Sequence, residues 1–555
     1  MVDKPITDPT ARRAGAAALA IAPDSNPLPG ASRSRRATAL HMTLAGAAGA
    51  LNTLSFGLTP HGGWLELAIF ALAFWLISRA RTLRGAWLTG GAFGFGNFVS
   101  GVWWLYVSMH FYGHMPAPMA GAAVVLFSLY LALYPAISAG LWHACCTAGS
   151  RRTSFALGWR TSFAFASAWA LGEWLRGTVF TGFPWLSSGY AQVDGPLAGF
   201  APLVGVYGVG WIVALIAALI VQAAVHVRGH GTVAWSAPAI VAAGLILCGV
   251  LISRIDWTQP SGPELSVRLL QGNVEQSMKF DPDGVRNAIA LYQRLITEKP
   301  ADLVVTPETG IALPLYEAPP EFGATIRHFS DATHTSVLFG AVGTTMTENG
   351  PKDFTNALYG ITPGSTHVYR YDKHHLVPFG EFIPWGFRWF VDMMRMPLGD
   401  FSRGAAVQPP FVVNGQSIAP DICYEDIFGE EIARTLRGQP KPASVLINST
   451  NLGWFGDTIA LEQHLQIARM RSIETGRPML RATNTGTTAM VDADGTVKAR
   501  LRNFTAGSLD VRVQGRSGTT PYTQAGNIPV LAVSLLWLAM GSGIRRSSSA
   551  NRTHA

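Results

Sequence analysis

Long apolar runs alternate abruptly with mixed runs along this chain of 555 residues. Residues 1–38 are polar and basic, 39–254 are nearly uncharged, 264–520 mix polar and apolar positions, and 527–543 are apolar again. A helix needs about 20 apolar residues to cross a bilayer. The pattern therefore predicts a multi-span α-helical membrane domain of about seven spans over 39–254, one globular domain over 264–520, and a last transmembrane span over 527–543.

Eight apolar stretches are the candidate spans. They lie at about 39–56, 63–78, 86–107, 119–147, 161–175, 203–225, 237–254 and 527–543. The first run begins late and others follow it at once, so we expect no cleavable signal peptide. With 48% hydrophobic and only 14% charged residues, the composition also favours a membrane protein over a soluble one.

Basic residues concentrate in alternate loops and in the two tails. They are Lys4, Arg12, Arg13, Arg33, Arg35, Arg36, Arg79, Arg81, Arg84, Arg151, Arg152, Arg160, Arg228, Arg545, Arg546 and Arg552. Because basic loops stay on the cytoplasmic side, the tails 1–38 and 544–555 are predicted to be cytoplasmic and 264–520 to lie on the opposite side. This topology accounts for the pI near 9.4 without a nucleic-acid partner.

Two charged residues, Glu173 and Arg176, lie at the end of the fifth candidate span. An ionisable group in a span favours a functional role. An ion pair that anchors the helix end at the membrane interface is an equally good interpretation. The sequence alone leaves both open.

From residue 265 the pattern changes to short β-rich runs separated by amphipathic helical stretches. The predicted strands are 265–270, 303–306, 337–342, 357–361, 368–371, 418–422, 445–447, 479–482, 487–491 and 497–501. The predicted helices are 282–298, 320–333, 426–437 and 457–475. Such an alternation predicts an α/β domain with helices outside two packed sheets.

Three chemically complementary residues directly follow predicted strands: Glu308, Lys373 and Cys423. A carboxylate can act as a general base, an ammonium can stabilise an oxyanion, and a thiolate is a nucleophile. Cys423 is the only thiol outside the long apolar segments, which hold Cys145, Cys146 and Cys248. Each residue alone also has a structural interpretation, as a helix cap, a solvated lysine or a small buried side chain. Their combination is more specific.

The flanking residues carry a family resemblance. The order Pro307-Glu308, then Tyr371 to Glu381, then Ile422-Cys423-Tyr424-Glu425, resembles the Glu-Lys-Cys triad of the carbon-nitrogen hydrolase (nitrilase) superfamily. The tract 448–486 is similar to that superfamily too. Together with eight spans, the chain resembles the apolipoprotein N-acyltransferase family. The resemblance implies an αββα sandwich for the globular domain.

The resemblance also implies a reaction. Cys423 would attack a phospholipid ester, form a thioester, and pass the acyl chain to the N-terminal amine of diacylglyceryl-cysteine on an apolipoprotein. Glu308 would be the base and Lys373 the oxyanion donor, with support from Glu381, Tyr424 and Glu425. The implied setting is a multi-pass protein of the bacterial inner membrane whose catalytic domain is periplasmic. We expect membrane lipid as a further partner, and no cofactor or metal.

Two alternatives use the same residues differently. A membrane-tethered nitrilase-type amidohydrolase would use the triad with water as acceptor. A transporter or receptor would use the outer domain only to bind a ligand, but the spans offer few ionisable groups for a transport pathway. Two positions depart from the family pattern, Phe280 and Asn451-Leu452, and they concern substrate preference more than the reaction.

The stretch 376–404 is too apolar for an ordinary exposed loop. Its prolines and glycines disfavour a regular core element, although packing on the sheets would also explain its composition. We therefore predict a mobile lid on the outer membrane surface that includes Trp385, Trp389 and Phe390. Opening would admit a phospholipid, and closing would keep water from the thioester.

Overall fold

The computed structural model describes residues 29–147, 157–229, 232–348, 350–388 and 400–550. Helices form the first part of the chain. They are α1 (Pro29–Asn52), α2 (Gly62–Ser78), α3 (Leu83–Gly101), α4 (Leu105–Val107), α5 (Ala117–Thr147), α6 (Trp159–Arg176), α7 (Ser188–Ala191), α8 (Ala201–Gly229) and α9 (Thr232–Ile252).

Each apolar stretch predicted as a span contains a helix. The helices in the stretches Ala117–Thr147 and Ala198–Val227 are long and apolar enough to cross a bilayer, and Gly62–Ser78, Ser236–Ile252 and Ile528–Met540 are shorter apolar helices. The first helix begins ten residues before its predicted start, at Pro29 rather than residue 39.

Glycine permits close helix packing in this bundle. A Cβ on Gly49 or on Gly96 would lie 1.9 Å from a backbone oxygen of the facing helix, so α1 and α3 pack backbone to backbone. Helix α8 is buried over most of its length and lies at the centre of the bundle. Its first turn contains Gly205 at φ 66°, a conformation that glycine adopts without strain.

The globular part contains two sheets among the described residues. The strands are β1 (Thr258–Gln271), β2 (Leu303–Val305), β3 (Ile311–Pro314), β4 (Ser336–Thr347), β5 (Gly350–Ile361), β6 (Tyr369–Asp372), β7 (Phe411–Val413), β8 (Gln416–Ile422), β9 (Val445–Thr450), β10 (Met479–Thr483), β11 (Ala489–Val491), β12 (Val497–Arg500) and β13 (Gly507–Gly518). One sheet has the order β13-β1-β2-β4-β5-β6, with β3 beside β4, and the other has the order β12-β11-β10-β9-β8-β7. Parallel pairing at β1-β2-β4 and at β8-β9-β10 places several strand ends at a common edge.

The two sheets pack face to face through apolar side chains such as Leu269, Val305, Ile422 and Ile447. Helices cover the outer faces. They are α10 (Pro282–Thr297) and α11 (Pro320–Thr333) on the first sheet, and α12 (Gly429–Arg437) and α13 (Ala460–Thr475) on the second. The αββα sandwich predicted from the sequence is confirmed. Two helices, α14 (Pro521–Ala525) and α15 (Ile528–Ala550), end the described chain.

Three strands were not predicted: β3, β7 and β13. Two of them are only three or four residues long, and β13 alternates charged and small residues as the edge partner of β1. The helix predicted over 426–437 is also too long. Residues Cys423–Ile427 form a 3₁₀ turn instead, because the Glu425 side chain accepts a hydrogen bond from Ile422 N at 2.7 Å.

Candidate active site

The three strand-end residues are brought together between the two sheets. Glu308 follows β2 and Lys373 follows β6 in the first sheet, whereas Cys423 follows β8 in the second. All three strands end at the same edge of the sandwich. The structure therefore assembles one polar site from segments separated by up to 115 residues of sequence.

A buried ion-pair network forms the base of the site. Lys373 Nζ lies 3.2 Å from Glu308 Oε1 and 2.9 Å from Glu381 Oε1. Asn356 Nδ2 donates to both of these oxygens, at 2.6 and 2.7 Å, and Asn451 N donates to Glu308 Oε2 at 2.9 Å. Glu308 is thus held by three donors, and its orientation is fixed before any substrate binds.

Cys423 has an unusual backbone conformation. Its φ of 54° lies in the left-handed region, which is uncommon for a residue with a Cβ. Asn448 Nδ2 donates to Cys423 O at 3.1 Å and helps to hold this conformation. The residue as a whole is half-buried. Strained backbone of this kind is often found at functional sites.

The electrostatics of the site keep the resting thiol protonated. Burial raises the pKa of Cys423 most strongly and the Glu308 carboxylate raises it further, whereas Lys373 and a hydrogen bond from Thr450 act in the opposite direction. For Lys373, burial lowers the pKa, but the Glu308 and Glu381 carboxylates outweigh it and raise the pKa above its usual value. The site therefore holds a permanent cation beside a thiol that needs a base to become a nucleophile.

Glu425 connects the strand of the lysine to the strand of the cysteine. Its carboxylate accepts from His374 N at 2.6 Å and His375 N at 3.1 Å, and also from Tyr371 Oη at 3.0 Å. The same side chain accepts from Ile422 N at 2.7 Å. The structure thus gives Glu425 a contact with the backbone on either side of the site, consistent with the predicted supporting role.

The two adjacent histidines are engaged elsewhere. His374 Nδ1 lies 2.8 Å from Gly404 O, and His375 Nδ1 lies 3.0 Å from Glu431 Oε1. In the part of the chain that the structure describes, no group of three or more His, Cys, Asp or Glu side chains is arranged to hold a metal ion.

Only part of the predicted lid is described. Trp385 is 98% exposed, and Phe379 and Phe387 are exposed aromatic neighbours whose rings meet edge to face. Trp389 and Phe390 lie outside the described residues. The base of the stretch is anchored, because Phe401 N donates to Glu381 O and Gly404 N to Lys373 O, both at 2.9 Å. Leu376 to Glu381 are therefore ordered beside the site, whereas the aromatic tip is exposed.

Several side chains at the site were not among the predicted residues. They are Lys279, Asn356, Asn448, Thr450 and His464. Asn356 lies inside a strand, where a buried polar residue is itself a signal of function. Lys279 belongs to a short turn far upstream and gives no comparable local signal.

Both parts of the chain match known protein families. Residues 48–219 match the family model of the apolipoprotein N-acyltransferase N-terminal domain, and residues 266–522 match that of the carbon-nitrogen hydrolases. An apolipoprotein N-acyltransferase of Ralstonia nicotianae is 53% identical over 507 residues, which cover 91% of this chain and 94% of the relative. The chain belongs to the apolipoprotein N-acyltransferase family.

Other relatives fit this family assignment. An apolipoprotein N-acyltransferase of Bordetella bronchiseptica is 41% identical over 531 residues, covering 90% of this chain and 96% of the relative. Among solved structures, an amidase from Nesterenkonia sp. has a TM-score of 0.34 at 17% identity, covering 46% of this chain and 92% of the amidase. The two family models and the two N-acyltransferase relatives confirm the resemblance inferred from the sequence.

In this member of the apolipoprotein N-acyltransferase family, residues at and near the site contact the helix bundle. Tyr424 Oη, next to Cys423, donates to Gly182 O at 3.0 Å in the loop after α6. Two bundle tryptophans, Trp104 and Trp185, donate to Gln463 Oε1 of α13 at 3.1 and 2.8 Å. Apolar side chains of both parts share one core. The helix bundle therefore contacts the residue that follows the nucleophile.

The pair Glu173 and Arg176 supports this junction. Both side chains are buried within the protein. Arg176 Nη1 donates to Phe183 O and Trp185 O, both at 2.6 Å, and Glu173 Oε1 accepts from Ser188 N at 2.8 Å. These hydrogen bonds hold the loop after α6, and Gly182 of this loop accepts the hydrogen bond from Tyr424.

Proposed function

We propose that this protein transfers an acyl chain from a phospholipid, through a thioester on Cys423, to the N-terminal amine of diacylglyceryl-cysteine on an apolipoprotein. The observation that carries the proposal is the cation Lys373, held between two buried carboxylates beside a thiol, in a chain of this family. A purified sample given phospholipid and a diacylated lipopeptide should yield N-acylated lipopeptide. Release of free fatty acid without transfer would favour the hydrolase alternative.

In the first half-reaction, the Glu308 carboxylate takes the thiol proton while the Cys423 sulfur attacks the ester carbonyl. The carbonyl oxygen becomes an oxyanion, which the Lys373 ammonium stabilises. The C–O bond to the glycerol then breaks, and the leaving alkoxide takes the proton from Glu308. The products are the acyl thioester and a lysophospholipid.

In the second half-reaction, the α-amine of the diacylglyceryl-cysteine attacks the thioester carbonyl. Glu308 takes a proton from the amine nitrogen, and Lys373 again stabilises the oxyanion. The C–S bond breaks, and the thiolate recovers a proton from Glu308. An amide is formed and the enzyme returns to its resting state, with no metal or cofactor consumed.

The same proposal includes the membrane topology. Segments 39–254 and 527–543 cross the bacterial inner membrane, the tails 1–38 and 544–555 are cytoplasmic, and the catalytic domain over 264–520 is periplasmic. The alternating arginine-rich loops support this orientation. A reporter fused after Leu265 should be periplasmic and one fused after Arg546 cytoplasmic. Both reporters on one side would contradict it.

The exposed aromatic tip supports a lid that enters the lipid headgroup region. A charged residue there would be costly to place in that region, so Trp385→Glu should slow Cys423 acylation by phospholipid vesicles about tenfold or more. Cys423 should react with a small soluble thiol reagent at the wild-type rate. Acylation by phospholipid vesicles measures the first rate, and alkylation by iodoacetamide measures the second.

Met346→Glu is a matched control for the lid, because Met346 is also an exposed apolar residue but lies at the end of β4. It should leave both rates unchanged. Equal vesicle kinetics for Trp385→Glu and the wild type would show that the tip has no role in lipid access.

A further inference from the structure

Lys279 is a buried lysine that none of the steps above uses. It belongs to a 3₁₀ turn, Gln276–Phe280, and is only 4% exposed. The residue after this turn, Asp281, caps helix α10 by accepting hydrogen bonds from Asp283 N and Gly284 N. This cap fixes the end of the turn, and with it the position of the lysine.

Two residues of this turn form hydrogen bonds with residues that lie close to Glu308, the proposed base. Lys279 Nζ donates to Thr309 Oγ1 at 3.1 Å, and Thr309 is the neighbour of Glu308. Gln276 Oε1 accepts from Asn451 Nδ2 at 2.7 Å, while Asn451 N donates to Glu308 Oε2. Lys279 and its turn are therefore held by two residues, one next to Glu308 in sequence and one that donates to it.

The surroundings of Lys279 are unusual for a buried cation. Its hydrogen-bond acceptor among the described residues is a neutral hydroxyl, and the charged or titratable groups that act on it are Glu308 and Cys423. Burial lowers the pKa of Lys279 to about 8, although Glu308 and Cys423 act in the opposite direction. A buried charge without a close ion pair destabilises a fold, so the fold would be more stable with a methionine at this position.

We propose that Lys279 is a second cation of the active site, a positioning residue that stabilises negative charge on the Cys423 sulfur during attack on the acyl donor. The inference rests on the proposed function of Cys423. Lys279 transfers no proton in this role. It acts through the charge on the sulfur, whereas Lys373 acts on the oxyanion.

This role has a pH signature. Lys373 keeps its charge over the working range, because its pKa is raised. Lys279 is protonated below about pH 8 and neutral above it. The rate of thioester formation should therefore fall as pH rises through about 8, relative to an enzyme whose cation at this position does not titrate.

The test compares Lys279→Met and Lys279→Arg by the pH profile of thioester formation and by iodoacetamide alkylation of Cys423. A nearby opposite charge lowers a thiol pKa by about one unit or more, so Lys279→Met should reduce alkylation near pH 7 at least tenfold. Lys279→Arg should keep most of the rate of thioester formation, and this rate should no longer decline as the pH rises through about 8. Lys299→Met, at an exposed lysine, should match the wild type.

Thermal unfolding separates this role from a structural one. Lys279→Met should unfold at or above the wild-type temperature, because it removes a buried charge. An unchanged alkylation profile in Lys279→Met, or an alkaline decline near pH 8 retained in Lys279→Arg, would overturn the inference. Alkylation needs no lipid, so it reports on Lys279 even if the wild type forms no acyl adduct. The absence of that adduct would refute the proposed function and would leave the alkylation result for Lys279 unaffected.

Discussion

Replacing Glu308 by glutamine is expected to slow thioester formation by about 10²- to 10⁴-fold, the usual contribution of a general base. The physical reason is the raised pKa of the Cys423 thiol, which leaves it protonated at rest. Glutamine keeps the size of the side chain and one oxygen, which can accept from either Asn356 or Asn451, but it cannot take the proton. Single-turnover acylation by a labelled phospholipid measures the loss.

The same variant should have the opposite effect on simple alkylation. The Glu308 carboxylate raises the pKa of the Cys423 thiol, so its neutral replacement lowers that pKa and increases the thiolate fraction at a given pH. Iodoacetamide should therefore react at least as fast as with the wild type. Glu317→Gln, at an exposed carboxylate, is the control. Acylation within threefold of the wild type would contradict the assignment of Glu308 as base.

Replacing Lys373 by methionine is expected to reduce acyl transfer by about 10²- to 10³-fold, as for the loss of one oxyanion donor. Lys373 is 1% exposed and contacts Glu308 and Glu381, so the variant also leaves two buried carboxylates without their cation. Removing one partner of a buried ion pair costs about 3–5 kcal/mol. Lipopeptide acylation and thermal unfolding measure the two effects.

A double variant separates catalysis from stability at Lys373. Adding Glu381→Gln to Lys373→Met removes one of the unpaired carboxylates, so the double variant should recover part of the lost unfolding temperature. Its acyl transfer should stay low, because the oxyanion donor is still missing. Recovery of activity together with stability would assign Lys373 a structural role only.

The sequence located the elements of the site where local signals were strong. One short apolar strand is followed by Pro307-Glu308 and another by Cys423. Their positions at strand ends can be predicted from the local sequence alone. Lys373 follows the same rule after β6. The sheets could be predicted in outline for the same reason, because buried strands have a clear apolar pattern.

Other features depend on contacts between distant segments, and no local pattern reports them. Tyr424 and Gly182 meet across 242 residues, and Lys279 reaches the site through a turn that precedes α10. The buried pair Glu173 and Arg176 could not be distinguished from an interfacial pair, because the same composition suits both. Edge strand β13 is different, because its alternation Leu509-Asp510-Val511-Arg512-Val513 is a local strand pattern that was not predicted.

The central claim is that Cys423 carries the acyl chain, and intact-mass analysis after incubation with phospholipid tests it most directly. The wild type should gain the mass of one fatty acyl group, the adduct should map to Cys423, and neutral hydroxylamine should remove it as expected of a thioester. Cys248→Ala, which removes an exposed thiol, should still form the adduct, and Cys423→Ala should not. A wild-type protein that transfers acyl chains without this adduct, or an adduct that persists in Cys423→Ala, would contradict the account.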